Sequence, residues 1–329
     1  MDTFKAIVVK EEQEQVIYGL EDVNLESLSD GDVLIKVSYS SINYKDMLAV
    51  QKNGGVIRNY PMIPGIDLSG TVVHSTDDRY TEGQKVIVTG FSVGMSHTGG
   101  FAEYARVSGD WIVPLPVNLS LKDAMVFGTA GFTAALSIMA LEDKGMDINN
   151  NPKILVTGST GGVGSIALQI LSKIGYKNIS ALVRKEHQIA VAKSLGATDV
   201  IFTEELGVQN KPLNKQKFDF VLDTVGGEIA SVLIPQISYG GSMSMCGNAG
   251  GIKLTSTVLP FILRGINLLG IDSVNVPIED RGYIWEKIAN EWNISRTTLI
   301  NEISLQELPK TIEAIKNGRH LGRTIIKYK

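Results

Sequence analysis

The sequence predicts an α/β fold in which a doubly wound parallel sheet is joined to a second, mainly antiparallel β domain. Three observations carry this. Between Lys153 and Leu171 an apolar run breaks into closely spaced glycines and resumes as an apolar helix. From Ile154 to Asp272, six strand-like runs alternate with helical segments. Before residue 120 the texture differs, with short alternating segments separated by Gly, Pro, Asp and Asn turns.

The N-terminal segments are Lys5–Lys10, Val33–Tyr39, Leu68–His74, Lys85–Thr89 and Ala102–Val107. Their alternation turns one face of each strand to a core and the other to water, as antiparallel sheets allow. Pro114-Leu115-Pro116 closes this region, after which Leu119–Leu141 turns helical. The parallel sheet reads Ile154–Thr157, Ile179–Val183, Val200–Phe202, Phe218–Leu222, Ser242–Cys246 and Leu268–Ile271. Two intervening helices have glycine stops, Ile166–Ile174 at Gly175 and Lys185–Leu195 at Gly196. A helix over Leu308–Lys316 and a strand over Thr324–Tyr328 end the chain and are expected to fold back on the β domain. The expected division is 1–120 with 275–329 folding back, and 121–274 for the parallel sheet.

Composition excludes several function classes. With 43% apolar and 20% charged residues the chain can bury a sizeable core, and a net charge of -4 gives no footprint for nucleic acid. The expected partners are small molecules. One cysteine, Cys246, and four histidines leave no Cys/His metal cluster by spacing and fit a reducing cytoplasm. Met1-Asp2-Thr3-Phe4-Lys5 lacks the pattern of a signal peptide, and no apolar run is expected to span a membrane, which takes about 18 residues.

The glycine cluster, Gly158-x-x-Gly161-Gly162-x-Gly164, departs from the strict G-x-G-x-x-G spacing but has the required strand before it and helix after it. Unpaired N–H groups at a helix N-terminus bind a pyrophosphate that only glycine lets approach so closely. In such folds an acid ending the second strand selects NAD, whereas arginine accommodates a 2′-phosphate. Here that strand ends Val183-Arg184-Lys185, with no acid, which favours NADP(H). Asp223 reads as a turn or capping residue, and Gly247–Gly251 follows the fifth strand at its cofactor-facing end.

Several motifs in order carry a family resemblance: Ser41–Asp46, Pro61–Asp67, Gly128–Ala134, the glycine turn, and Ser273 after the sixth strand. On these the chain resembles the medium-chain dehydrogenase/reductase superfamily, in the zinc-free quinone-oxidoreductase-like branch that includes acrylyl-CoA reductase. The resemblance implies a GroES-like β domain built from both termini, a Rossmann domain between them, an active site in the cleft, and a homodimer. Zinc-dependent members carry catalytic and structural ligand sets. Here Asn43 and Tyr44 occupy the stretch of the first ligand, Gly65-Ile66-Asp67 stands in for the Gly-His-Glu element, and no cysteine precedes Cys246. The expectation is catalysis without metal.

Carried over residue by residue, the resemblance puts Tyr44 beside the nicotinamide with Asn43 as a catalytic candidate. It puts Thr160, Gly161, Gly162 and Val163 at the pyrophosphate and Arg184 at the 2′-phosphate. Asn248, Ile262 and Ser273 fall around the nicotinamide half, and Arg319 near the adenosine. Leu182 and Thr203 depart from the relatives' polar group and second arginine at the 2′-phosphate. On the residues alone Tyr44 is also readable as a core tyrosine, and Asn43 and Asp46 as turn residues. The activity implied is NADPH-dependent reduction of activated C=C bonds, such as 2-enoyl-CoA thioesters. The alternatives are NADPH:quinone oxidoreduction and NADPH binding without turnover.

Overall fold

The computed structural model describes residues 3–207, 211–294 and 299–329; Met1 and Asp2, where the N-terminal reading begins, lie outside the described residues. One unit comprises Met1–Thr129, Val274–Asn290 and Thr298–Lys329, the other Ala130–Ser273 and Glu291–Thr297. The division thus falls nine residues beyond the expected one, at 129 rather than 120. The reason is local: Arg323 donates to the Val126 carbonyl and Asp67 accepts from Thr129, which fixes that stretch to the first unit.

The first unit opens with an antiparallel hairpin of β1 (Phe4–Glu12) and β2 (Gln15–Val23). Gln13 and Glu14 turn it at φ 49° and 61°. Such a left-handed pair usually reads as Asn-Gly, so β2 has no turn signal to announce it. Next come β3 (Val33–Ser41), α1 (Tyr44–Ala49), β4 (Asp67–Ser75), β5 (Lys85–Thr89), β6 (Tyr104–Val107) and β7 (Ile112–Pro114). β3 pairs antiparallel with both β4 and β6. α2 (Leu121–Glu142) follows, and it is two helices joined at Gly128, whose φ of 50° and ψ of -156° are not helical. Contrary to the reading of apolar runs, α2 is long and apolar enough to cross a membrane; it is largely buried and broken by that kink.

The second unit holds β8 (Ile154–Val156), α3 (Gly162–Ile174), β9 (Ile179–Val183), α4 (His187–Ser194), β10 (Asp199–Phe202), β11 (Phe218–Asp223), α5 (Gly227–Leu233), β12 (Ile237–Met245), α6 (Leu259–Arg264) and β13 (Asn267–Gly270). The sheet order is β10-β9-β8-β11-β12-β13 and every pair is parallel, as in a doubly wound Rossmann sheet. Its order reverses between β8 and β11, the switch point where such sheets open a crevice at their strands' carboxyl ends. Leu155, Leu182, Val221, Leu233 and Met243 pack its core. Gly175 and Gly196 stand at φ 103° and 105°, the left-handed stops read from sequence.

The chain returns to the first unit with α7 (Ile278–Ala289), β14 (Ile300–Ile303), α8 (Leu308–Lys316) and β15 (Arg323–Lys327). β15 pairs antiparallel with β3, so the tail completes a sheet ordered β14-β15-β3-β4-β5-β7. Leu305, Leu308, Ile312 and Ile326 pack with Ile7, Val33, Ile35 and Leu68 in one apolar core. Buried Arg281 on α7 donates to the carbonyls of Thr89, Val274 and Val276 and lies 4.4 Å over the Phe91 ring.

Candidate active site

In the first unit the sequence-predicted residues gather on a buried charged network. Asp67, on the first residue of β4, accepts from Ser41 Oγ at 2.6 Å, Asn43 Nδ2 at 2.7 Å, the Thr129 N–H at 2.9 Å and Thr129 Oγ1 at 2.5 Å. Its backbone carbonyl accepts from Ser40 Oγ at 2.6 Å. Arg323, equally buried, donates to Ser41 Oγ, the Ile42 carbonyl and Asn43 Oδ1, and its Nη2 lies 3.9 Å from Asp67. A side chain at Gly128 would come within 2.4 Å of both Asp67 Oδ2 and Ser41 Oγ, so the kink in α2 leaves room for the carboxylate.

Asp46 completes the network from inside α1. Its carboxylate accepts the Asn43 N–H at 2.7 Å and the Ile66 N–H at 3.0 Å, tying the helix start to the segment before β4. Burial, and then the Asp67 carboxylate, push Asp46 up to about 7. Asn43 is thereby engaged at its N–H, its amide nitrogen and its amide oxygen, so it fixes the start of α1. Tyr44, the first residue of α1, is 42% exposed, and among the described residues its hydroxyl has no partner. It is not a core tyrosine.

In the second unit the glycine turn runs from β8 into α3. Gly158 stands at φ 55°, and a Cβ there would lie 2.2 Å from Thr224 Oγ1; one at Gly164 would lie 2.4 Å from the Gly158 carbonyl oxygen. Glycine is required at both places. Among the described residues the N–H groups of Gly162, Val163 and Gly164 at the start of α3 have no hydrogen-bond partner. N–H groups left unpaired at a helix N-terminus are suited to an anion. Asp223, at the end of β11, accepts from Thr157 Oγ1 at 2.7 Å and the Gly226 N–H at 2.8 Å, which makes it the cap of its turn. Burial pushes the Cys246 thiol up to about 12, so it remains protonated.

The other predicted residues in this unit are mostly exposed. Arg184 follows β9, and its guanidinium has no partner among the described residues. Asn248 is exposed after β12, and Ile262 on α6 is 69% exposed. Ser273 Oγ accepts from Thr133 Oγ1 at 2.8 Å. Arg319 is an exposed residue of the first unit. Sequence reasoning missed Arg323, which stands one residue before the strand expected over Thr324–Tyr328 and opens β15, and Gln188, which no motif marks. Among the described residues, no three His, Cys, Asp or Glu side chains stand together as a metal site.

The comparisons with known proteins agree with this architecture. Residues 29–117 match the alcohol dehydrogenase GroES-like domain family, and residues 162–290 the zinc-binding dehydrogenase family. The chain is 45% identical over 327 residues, 98% of each chain, to a Bacillus subtilis protein named putative quinone oxidoreductase YhfP. The solved structure of that species' yhfP with NAD bound superposes with a TM-score of 0.95, covering all of both chains. It is 44% identical over 324 residues, 98% of this chain and 99% of the other, to the Escherichia coli protein named probable acrylyl-CoA reductase AcuI. The crystal structure of E. coli K-12 YhdH with bound NADPH gives a TM-score of 0.95 at 43% identity, covering 98% and 100% of the two chains. With these likenesses spanning nearly its whole length, the chain belongs to the medium-chain dehydrogenase/reductase superfamily, in its quinone-oxidoreductase-like branch.

Proposed function

We propose that this oxidoreductase is an NADPH-dependent reductase of activated C=C bonds, taking 2-enoyl thioesters such as acrylyl-CoA and working without a metal. The observation that carries the reading is the anion-ready surface of the second unit, open amides at Gly162–Gly164 together with an unpaired Arg184. A relative named probable acrylyl-CoA reductase and the similar YhdH structure with bound NADPH support it, and the NAD complex of yhfP makes the cofactor choice a preference rather than an exclusion.

Thr160, Gly161, Gly162 and Val163 would hold the pyrophosphate and Arg184 the 2′-phosphate. Asn248, Ile262, Ser273 and Tyr44 belong to the nicotinamide half and Arg319 to the adenosine side. When bound, the reduced nicotinamide supplies a hydride to an electron-poor carbon. Tyr44 carries a free hydroxyl that can donate to the acceptor carbonyl or give the proton that completes reduction. Asn43 acts through Tyr44, as the residue that positions it. Metal-free action rests on the donor set: the resemblance puts Asn43, Tyr44 and Asp67 in the stretches of the ligands, and Asp67 already accepts four hydrogen bonds at its carboxylate.

NADPH oxidation with acrylyl-CoA, enones and quinones side by side tests the reading. Fastest turnover on the enoyl thioester is expected. Preference for quinones would favour the second reading, which the likeness to YhfP supports. NADPH binding with no turnover on any acceptor would make the chain a non-catalytic binder. Chelator treatment should leave turnover unchanged; stoichiometric zinc lost together with activity would overturn the metal-free claim. We also infer a cytoplasmic homodimer, supported by the lone Cys246 and by exposed Val258, Ile262 and Leu263 beside the edge strand β13. A monomer mass by light scattering would remove the dimer.

A further inference from the structure

Building on the NADP(H) reading, we propose that Gln188 is a positioning residue that sets the preference for the 2′-phosphorylated cofactor, by holding Thr160 of the glycine turn and the Arg184-Lys185 strand end in one frame. Its Oε1 accepts the Arg184 N–H at 2.9 Å and the Lys185 N–H at 3.0 Å, and its Nε2 donates to Thr160 Oγ1 at 2.8 Å. Two backbone donors converge on one atom, which must therefore be the carbonyl oxygen. The amide has one allowed orientation, with its nitrogen toward Thr160.

Each end of this bridge prepares a place for an anion. The Thr160 hydroxyl, accepting from Gln188, keeps its own proton for a further acceptor. At the other end, two pinned N–H groups fix the peptide planes from which the Arg184 and Lys185 side chains leave. Both side chains are exposed, and among the described residues neither charged head has a partner. Preorganisation lowers the freedom lost on binding, so releasing the strand end weakens the contacts made from it. A change felt at Thr160 weighs on NADPH and NADH alike, because both carry the pyrophosphate. A change felt at Arg184 weighs on NADPH alone, because only it carries the 2′-phosphate. The ratio of the two affinities therefore isolates the role assigned to Gln188.

The test is fluorescence titration of NADPH and NADH against the full chain, as wild type, Arg184→Ala, Gln188→Ala, the double variant and Gln188→Glu, with thermal unfolding of each. Wild type is expected to prefer NADPH and Arg184→Ala to lose that preference. Gln188→Ala should weaken NADPH about tenfold and NADH no more than about twofold. The double variant should bind NADPH no more weakly than Arg184→Ala, since both changes act on one contact. Gln188→Glu keeps an acceptor for both N–H groups, so it folds even where the alanine variant does not. Its negative charge lies at the Arg184 and Lys185 N–H groups, on the side of the 2′-phosphate that only NADPH carries, so it should lose NADPH preference. Equal losses for both cofactors, an unchanged ratio in the Gln188 variants, or losses that add in the double variant would overturn the role of Gln188. If wild type shows no preference, or Arg184→Ala retains it, the cofactor reading itself fails and takes this role with it.

Discussion

The two units of the chain are built on opposite electrostatic plans. In the first unit Asp46, Asp67 and Arg323 are buried and bonded to one another's neighbours, and only Tyr44 is left facing outward. In the second unit the candidate groups are unpaired among the described residues: amides at the start of α3 and exposed cations after β9. A buried charge without partners costs several kcal/mol, so the first unit's site must be satisfied by its own chain before anything binds. The half-buried amides of Gly162 and Val163 carry no full charge and the Arg184 guanidinium meets water, so both can go without a partner from the chain at less cost. On the proposed reading the first unit is thus a mount for one side chain, and the second a receptor.

The largest effect expected from this contrast is on stability. Asp67→Ala leaves Arg323 buried without its counter-charge and frees donors at Ser41, Asn43 and Thr129, so it should cost about 3–5 kcal/mol in denaturant unfolding. Arg184→Ala should change stability by no more than about 0.5 kcal/mol, because its guanidinium touches nothing that folding needs. Similar losses in both variants would erase the distinction between mount and receptor.

Next in size is the effect of Tyr44→Phe on turnover, expected at roughly a hundredfold loss in kcat if the hydroxyl serves as general acid. The fold should be unaffected, since the hydroxyl has no partner among the described residues. Wild-type turnover in the Phe variant on the best acceptor would leave Tyr44 as a packing surface only.

The receptor half was far more legible in the sequence than the mount. A glycine turn between a strand and a helix is local, and Gly158 and Gly164 are fixed by contacts within a few residues or across one strand. The mount depends on residues brought together from distant segments: Arg323 and Ser41, which share a hydrogen bond, are 282 positions apart. No spacing rule reaches that far. The same limit applies to the fold. The alternating strands of the first unit were readable, whereas β2 follows a turn without glycine or asparagine and the four-residue β14 is too short to show a period. α7 has its buried face at Arg281, Ile284, Trp285 and Ile288, and an arginine there makes an inward stripe look like a solvent-facing one. Gln188 escaped because a polar residue in the first turn of an exposed helix has no signature until its three bonds are seen.

The smallest expected effect is a pH dependence seated in the mount. Asp46 titrates near its ordinary carboxylate value in the unfolded chain and at about 7 in the fold, pushed there by burial first and by Asp67 second. The folded state therefore holds a proton that the unfolded state has already lost between these values. Stability from this group is fully present below the unfolded value and is lost as pH rises through about 7. Going from pH 8 to pH 6 should then raise unfolding free energy by about 1.4 kcal/mol on account of Asp46. His320, which burial and then Arg323 push down to about 4, acts in the opposite sense: its unfolded form gains a proton over this range, which lowers unfolding free energy by about 0.8 kcal/mol from pH 8 to pH 6 in any variant that keeps it. Asp46→Asn cannot titrate and offers one acceptor where Asn43 and Ile66 present two N–H donors, so its stability should be lower throughout, and the gap below wild type should widen by about 1.4 kcal/mol from pH 8 to pH 6 because His320 acts equally in both. If the two proteins instead show parallel stability curves across that range, Asp46 is ionised throughout, and the mount is held by a permanently charged cluster whose two backbone donors and nearby Arg323 outweigh its burial.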